Sequence, residues 1–151
     1  MTKPVGGARS RSSFAGVARA ALEKHLPAAR QPSAHWTARP NLACVRLASA
    51  DGSFLLFALR RHLGWVTGEA GIARDPVEIE SLPLLDAEGD AESGGYRVRL
   101  GDQLGDGGRW WPAGTSEQDL RERLEWIVLQ LRVKATAYFA RHPLPRRREA
   151  G

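Results

Sequence analysis

Hydrophobic residues recur with helical spacing from Thr115 to His142, the longest periodic segment of the chain. At about 100° per residue, one set of apolar side chains falls on a single stripe. That stripe contains Leu120, Leu124, Ile127, Val128, Leu131, Ala135, Tyr138 and Phe139. Thr115 or Ser116 can cap the first turn, and Pro143 ends the segment because proline cannot donate a backbone hydrogen bond. The pattern predicts a long C-terminal helix, roughly 40 Å from end to end.

A second apolar stripe lies on the opposite side of this predicted helix. It contains Trp126, Leu129, Val133, Ala137 and Ala140. A helix with two apolar faces needs two partners, and a sheet is one of them. The other is a second helix of this chain or a different molecule. Exposed apolar patches on monomers are usually small, which favours the intramolecular interpretation.

A shorter amphipathic segment begins after Ser12 or Ser13 and is stopped by Pro27. Its apolar residues have the i, i+3, i+4 spacing of a helix. They are Phe14, Val17, Ala18, Ala21, Leu22 and Leu26. We expect this first helix to cover the second face of the long one. Residues 27–41 contain several prolines and are predicted to be a connector.

The middle of the chain predicts an antiparallel hairpin. Asp51-Gly52 separates two apolar runs, and a tight turn between paired strands needs the positive φ that glycine tolerates. We predict strands at about 42–48 and 53–61. The second of these is apolar on both faces, as a central strand is. A helix over 53–63 is the competing interpretation, because short apolar runs are ambiguous.

Further extended segments follow the hairpin. Residues 62–72 predict a third strand, whose glycines indicate bulges or a close approach of another backbone. Residues 77–82 predict a short extended piece. Residues 96–100 alternate apolar side chains with arginine, as in a strand with one solvated face. Loops are predicted at 86–95 and 101–114.

Together these elements predict an α+β fold. It has an N-terminal helix, an antiparallel β-meander of about four to five strands, and a long C-terminal helix packed on the sheet. We expect a single domain at 13–142. A disordered basic tail is expected at 1–12 and a disordered Arg-rich tail at 143–151.

Charge and cysteine content narrow the class of protein. The net charge is +5, but residues 1–12 contribute +3 and residues 143–151 contribute +2, so the predicted domain is balanced. The single cysteine, Cys44, excludes an internal disulfide and a cysteine-cluster metal site, and it fits a reducing compartment. No apolar run approaches the ~20 residues of a membrane span, and no secretory signal is recognisable. We therefore expect a cytoplasmic protein without a membrane partner.

Four short segments carry a resemblance to a known type of protein. They are GWVTGEAGI in the third strand, then YRVRLGD, RWWP and the helix end YFARH. Over about residues 35–142 the chain resembles small bacterial proteins of a domain-of-unknown-function family. The resemblance implies an α+β fold and no established activity, so it transfers no catalytic residue.

The strongest candidate for a binding site is the segment Arg109, Trp110, Trp111 and Pro112. Paired tryptophans beside an arginine can form an interface hot spot or a stacking platform for bases or sugars. They can also plug the open end of the core, because each ring buries a large area. We expect one ring to be such a plug and leave the second open.

No catalytic, cofactor-binding or metal site is predicted. The glycine-rich loop 101–108 lacks the lysine and hydroxyl of a phosphate loop, and Ala113 stands where a calcium loop needs glutamate. Cys44 lies in an apolar run, and no third group orients it with His62 as nucleophile and base. The four histidines lack metal-binding spacing.

Two functional hypotheses for binding follow. The first and preferred one is a non-catalytic protein-interaction domain of adaptor or immunity type. It binds a protein partner or a second copy through the Trp110/Trp111 corner, with Trp126, Leu129 and Val133 as a further surface. The second is a nucleic-acid accessory protein in which tryptophan stacks on a base and arginines bind phosphate. Those arginines are Arg97, Arg99, Arg146, Arg147 and Arg148.

A third hypothesis is an enzyme. It would be metal-dependent and would use the acidic and glycine-rich loops of residues 86–108. No cofactor is assigned under any of the three hypotheses.

Overall fold

A computed structural model describes residues 13–85 and 94–145 of the chain. The predicted N-terminal tail, most of the predicted acidic loop, and the arginines of the predicted C-terminal tail lie outside the described residues. Two helices are present, α1 at Phe14–His25 and α2 at Glu117–Arg141. Ser13 caps the first helix by accepting from Gly16 N at 3.0 Å, and Ser116 caps the second by accepting from Asp119 N at 3.0 Å.

Seven strands form one sheet. They are β1 His35–Arg39, β2 Leu42–Ala48, β3 Phe54–His62, β4 Trp65–Ala73, β5 Leu84–Leu85, β6 Gly95–Arg99 and β7 Trp111–Pro112. Single turns of 3-10 helix occupy Pro27–Arg30 and Ile79–Ser81. The order across the sheet is β1-β2-β3-β4-β6-β5, and β7 pairs with β4 at Trp65 and Val66. All pairings are antiparallel except that of β5 with β6.

The predicted α+β class, both helices and the meander agree with this architecture, but the predicted count of four to five strands is wrong. Three strands were not foreseen. Strand β1 lies within the proline-containing segment predicted to be a connector, where Pro32 and Pro40 fall just outside its ends. Strands β5 and β7 are two residues long, too short to show any alternation. The strand interpretation of residues 53–63 is correct, and β3 occupies the interior of the sheet.

Both helices pack on one face of the sheet and enclose the main core. Alternate residues of the central strands point into it. They include Ala43, Val45, Phe57, Leu59, Val66, Ala70, Tyr96 and Val98. Helix α2 crosses β4 at Gly68, where a Cβ atom would lie 2.5 Å from Ile127 Cγ2 and 2.8 Å from Leu131 Cδ1. The close neighbours of Gly68 are therefore side chains of α2 and not the backbone approach that was predicted.

A smaller cluster covers part of the opposite face. Ile79 and Leu82, in the segment between β4 and β5, pack over apolar side chains of the sheet. Those side chains are Leu42, Cys44, Leu56, Ala58 and Ala73. Burial, with Glu78 and Glu80 nearby, raises the pKa of the Cys44 thiol to about 12. Cys44 is therefore an inert core residue.

Helix α1 lies beside α2 and does not cover its outer face. Lys24 Nζ donates to Glu125 Oε1 at 3.0 Å, and Arg132 donates to the His25 carbonyl at 3.3 Å. Both contacts are on one flank of α2. The expectation that α1 covers the second apolar stripe is therefore wrong. The apolar side of α1 is occupied by the sheet and by the core side of α2.

Candidate binding surfaces

A buried carboxylate lies at the centre of the uncovered part of the sheet. The Glu69 side chain is 0% exposed and accepts from three arginines, which together form the arginine cluster. The donors are Arg60 Nη2 at 3.2 Å, Arg97 Nη1 at 2.6 Å, and Arg99 Nη2 and Nε at 2.8 and 3.1 Å. Two carboxylate oxygens thus receive four charge-assisted hydrogen bonds.

Strand register brings these side chains together. Glu69 pairs with Arg99 across β4 and β6, and Gly71 pairs with Arg97 one step further along. Arg60 lies diagonally from Glu69 on β3. All four point to the face away from the helices, because positions two apart share a face. Gly71, which has no side chain, leaves room beside Glu69 for the Arg97 stem.

Burial and charge act in opposite directions on Glu69. Desolvation raises the pKa of the carboxyl group, and the attraction of Arg60 and Arg97 with the hydrogen bonds of Arg99 outweighs it. The pKa of Glu69 therefore lies below its ordinary value, and the group is a carboxylate at neutral pH. Glu80 also lies 3.7 Å from Arg60 Nη1, so the three arginines face two carboxylates and keep an excess of one positive charge.

An aromatic rim borders the arginine cluster. The Arg99 guanidinium lies over the Trp110 ring, 5.2 Å from its centroid, and His62 meets the same ring edge-on at 6.2 Å. Trp65 is exposed at the adjacent end of β4. Thr67 Oγ1 donates to the Arg109 carbonyl at 2.6 Å, which fixes the segment that carries Trp110. Positive and aromatic groups therefore share this surface.

The two consecutive tryptophans separate onto opposite faces of the sheet. Trp111 is buried among the helix-side core and meets Trp126 of α2 edge-on, with ring centroids 5.3 Å apart. Trp110 is partly buried on the arginine side. Neighbouring residues of an extended chain point in opposite directions, so the predicted corner is not one surface. Arg109 is exposed and pairs with Asp102 at 3.1 Å.

The outer face of α2 carries a separate apolar surface. Trp126, Leu129 and Val133 are 40%, 37% and 72% exposed, and we call them the outer helix stripe. Trp126 leans onto the buried Trp111 ring, and the Arg123 guanidinium lies 5.6 Å from its centroid. The stripe therefore begins at an anchored ring and continues along the solvent side of the helix.

The glycine-rich loop is held by contacts within the chain. Asp106 accepts from the backbone N–H groups of Gln103 and Gly108 at 3.0 and 3.2 Å. Lys134 Nζ donates to the Asp102 carbonyl at 2.7 Å. Within residues 13–85 and 94–145, no group of three or more His, Cys, Asp or Glu side chains could hold a metal ion. In the same residues, no helix has the length and apolar character needed to cross a membrane.

Sequence reasoning placed Arg97 and Arg99 on one face but missed the residues that organise them. Glu69 and Arg60 were not singled out, although a lone acid inside an apolar strand signals that a buried cation is its partner. Arg97 and Arg99, which alternate with apolar residues along a neighbouring strand, are the cations that such an acid requires. Arg146, Arg147 and Arg148 lie outside the described residues.

No protein-family model, no curated protein and no solved structure matches the chain. The resemblance of residues 35–142 to a domain-of-unknown-function family gains no support from these comparisons. The function of the chain is therefore inferred from its own residues.

Proposed function

We propose that this chain is a non-catalytic protein-interaction domain of adaptor or immunity type that acts in the cytoplasm. It binds a protein partner, or a second copy of itself, through the outer helix stripe. The observation that carries the proposal is the joint exposure of Trp126, Leu129 and Val133 on one face of the longest element. The lone buried thiol of Cys44 suits a reducing compartment.

The stripe has the physical properties of a binding surface. Its spacing of three and four residues matches the way one helix presents apolar side chains to another. Trp126 is held by Trp111 beneath it, so its ring loses little rotamer freedom on binding. Tryptophans in such settings dominate binding energy at protein interfaces. The sheet below α2 makes the surface rigid.

Val133→Glu tests the proposal because it inserts a charge into the most exposed part of the stripe. We expect it to abolish capture of a specific protein from nuclease-treated host lysate, or to convert a dimer into a monomer in light scattering. Ala20→Glu, on the exposed side of α1, is the matched control and should change neither result. If Val133→Glu keeps every wild-type partner and the wild-type oligomeric state, the proposal fails.

Nucleic-acid binding is a second candidate function, supported by the position of Arg99 over Trp110. Arg97 and Arg99 are largely occupied by Glu69, which lowers the charge that they offer to phosphate. We propose that binding to short single strands, if this function holds, weakens steeply as salt increases. Binding that is absent or independent of salt would end this candidate.

A further inference from the structure

A groove of about 480 Å³ opens on the sheet face away from the helices, between the β1–β2 turn and Trp110. Leu42 and Arg60 contribute to its lining, with Glu80 and Trp110. Its volume is in the range of small-molecule sites. It does not include the outer helix stripe and is independent of the protein-interaction proposal.

One carboxylate in the groove is shared between two arginines. Glu80 lies 3.1 Å from Arg39 Nη1 and 3.7 Å from Arg60 Nη1. Glu78 is bonded to Thr37 Oγ1 and does not line the groove. Glu80 is thus shared between the two guanidinium groups, while Arg60 is also paired with the buried Glu69.

Arg61 adds a positive charge that no carboxylate balances. Its Nε donates to Asn41 Oδ1 at 3.0 Å and its Nη2 to the Pro40 carbonyl at 3.4 Å, both neutral acceptors. Among the described residues, no acidic side chain forms an ion pair with it. Arg39, Arg60 and Arg61 stand against Glu80 and the buried Glu69, so a formal excess of one positive charge remains at the groove.

Arg60 has donor capacity that the protein does not use. Glu69 holds its Nη2 from below, yet its buried Nε has no acceptor within the part of the chain that the structure describes. Buried donors are rarely left without a partner in native proteins. This feature indicates that Arg60 is adapted to more than its pairing with Glu69.

Aromatic groups form one wall of the groove. Trp110 and His62 meet edge-on, and the Trp110 ring also contacts the Arg99 guanidinium. Planar ligands stack on such rings, as bases do on aromatic side chains in nucleic-acid complexes. Excess positive charge and an aromatic wall thus lie within one small groove.

We propose that this groove binds a nucleoside phosphate. Its phosphate group is attracted by the excess positive charge of the groove and binds the exposed Arg39 guanidinium in competition with Glu80. The base stacks against Trp110. The same chemistry is offered by a free nucleotide and by the 5′-phosphorylated end of a single strand.

The test measures binding of adenosine 5′-monophosphate to the full chain by calorimetry at low salt. Inorganic phosphate and adenosine are the partial probes, and each should bind at least tenfold more weakly than the nucleotide. Arg39→Gln should weaken nucleotide binding at least tenfold, and its side chain is 53% exposed, so folding is retained. Arg121→Gln, with the same charge change on α2, is the matched control.

Trp110→Leu is the second variant and should weaken nucleotide binding while leaving phosphate binding unchanged. Arg61 is not substituted because its guanidinium also lies over the Phe14 ring of α1. The proposal is overturned if no binding is detected, if Arg121→Gln weakens binding as much as Arg39→Gln, or if adenosine binds as well as its phosphate.

A 5′-phosphorylated oligonucleotide distinguishes the two sources of the ligand. If it binds at least tenfold more tightly than the mononucleotide, the groove recognises strand ends. If it binds no more tightly, the ligand is a free nucleotide. Val133→Glu should bind nucleotide like the wild type, so a failure of this inference and a failure of the protein-interaction proposal give different results.

Discussion

The two faces of the sheet are buried by different means. On the helix side, apolar side chains of both helices and five strands fill a continuous core, and close packing holds α2 against Gly68. On the other side, the centre is an ion cluster in which Glu69 bonds three arginines. Apolar burial is non-directional, whereas the cluster depends on each partner being in place.

Apolar packing on the helix side stabilises the fold, whereas charged and aromatic groups on the arginine side are available for binding. The helix side uses its apolar residues internally, except for the outer helix stripe. The arginine side keeps positive charge and aromatic edges in contact with solvent, because Glu69 and Glu80 do not balance all of its arginines. Stability and binding are therefore expected to respond to different substitutions on the two faces.

Glu69→Gln should have the largest effect on stability. It keeps the shape of the side chain and removes the negative charge that all three arginines of the cluster share. Loss of one partner from a buried ion pair costs about 3–5 kcal/mol. We expect a fall of that size in the free energy of unfolding, measured by urea denaturation. Glu122→Gln on the exposed side of α2 should change it by less than about 0.5 kcal/mol. A Glu69→Gln protein as stable as the control would contradict the role given to the cluster.

Leu131→Ala tests the apolar packing on the helix side of the sheet. Leu131 is fully buried beneath α2, and its truncation should cost about 2–5 kcal/mol because it leaves a cavity. Leu129→Ala is the matched control on the same helix, and its side chain lies in the outer helix stripe. We expect a loss of about 1 kcal/mol or less there. Equal losses in thermal or urea unfolding would show that the assignment of the buried and exposed sides is wrong.

Gly68→Ala tests the contact between α2 and β4. The added methyl group would overlap Ile127 and Leu131, so these side chains or the helix must move. Overpacking of this kind costs about 1–3 kcal/mol. Gly64→Ala places the same group where no atom lies within 4 Å and should be nearly neutral. Similar stability of the two variants in urea would rule out the close crossing.

The pH dependence of stability should give the smallest difference. The pKa of Glu69 is lowered in the folded chain from its ordinary value of 4.5, so its contribution is complete above that pH. It is lost as the pH falls through the lower folded value. The free energy of unfolding of the wild type should therefore approach that of Glu69→Gln as the pH is lowered from 5. Other carboxylates are common to both proteins, so subtracting the two curves isolates Glu69. Parallel curves would contradict the lowered pKa.

The sequence predicted the elements whose signals are local. The periodicity of α2, its serine cap and Asp51-Gly52 each fix structure within a few residues, and α2, β2 and β3 lie within one or two residues of the predicted bounds. Strands β1, β5 and β7 are defined by their pairing partners, and no pattern in the strands themselves indicates them. Short strands of this kind depend on tertiary context.

The candidate surfaces were predictable only in part. Arg97 and Arg99 were assigned to one face by alternation, and the structure brings Trp110 beside them. Glu69 and Arg60 become neighbours through the register of two strands, which the sequence does not specify. The groove includes Arg39 of β1, and the sequence pattern predicts a connector in place of this strand. Contacts between distant segments therefore account for what the pattern could not provide.

Cys44 allows local opening of the structure to be followed by covalent labelling of its thiol. Its thiol is buried, and burial raises its pKa, so the reactive thiolate is scarce at neutral pH. Ile79 and Leu82 belong to the apolar cluster that buries Cys44, so labelling of the sulfur requires this cluster to open. As the sole cysteine, it reports that opening without interference from a second site. The rate of covalent labelling thus reports how often the arginine side of the molecule opens. The same burial protects the thiol from oxidation while that side is closed.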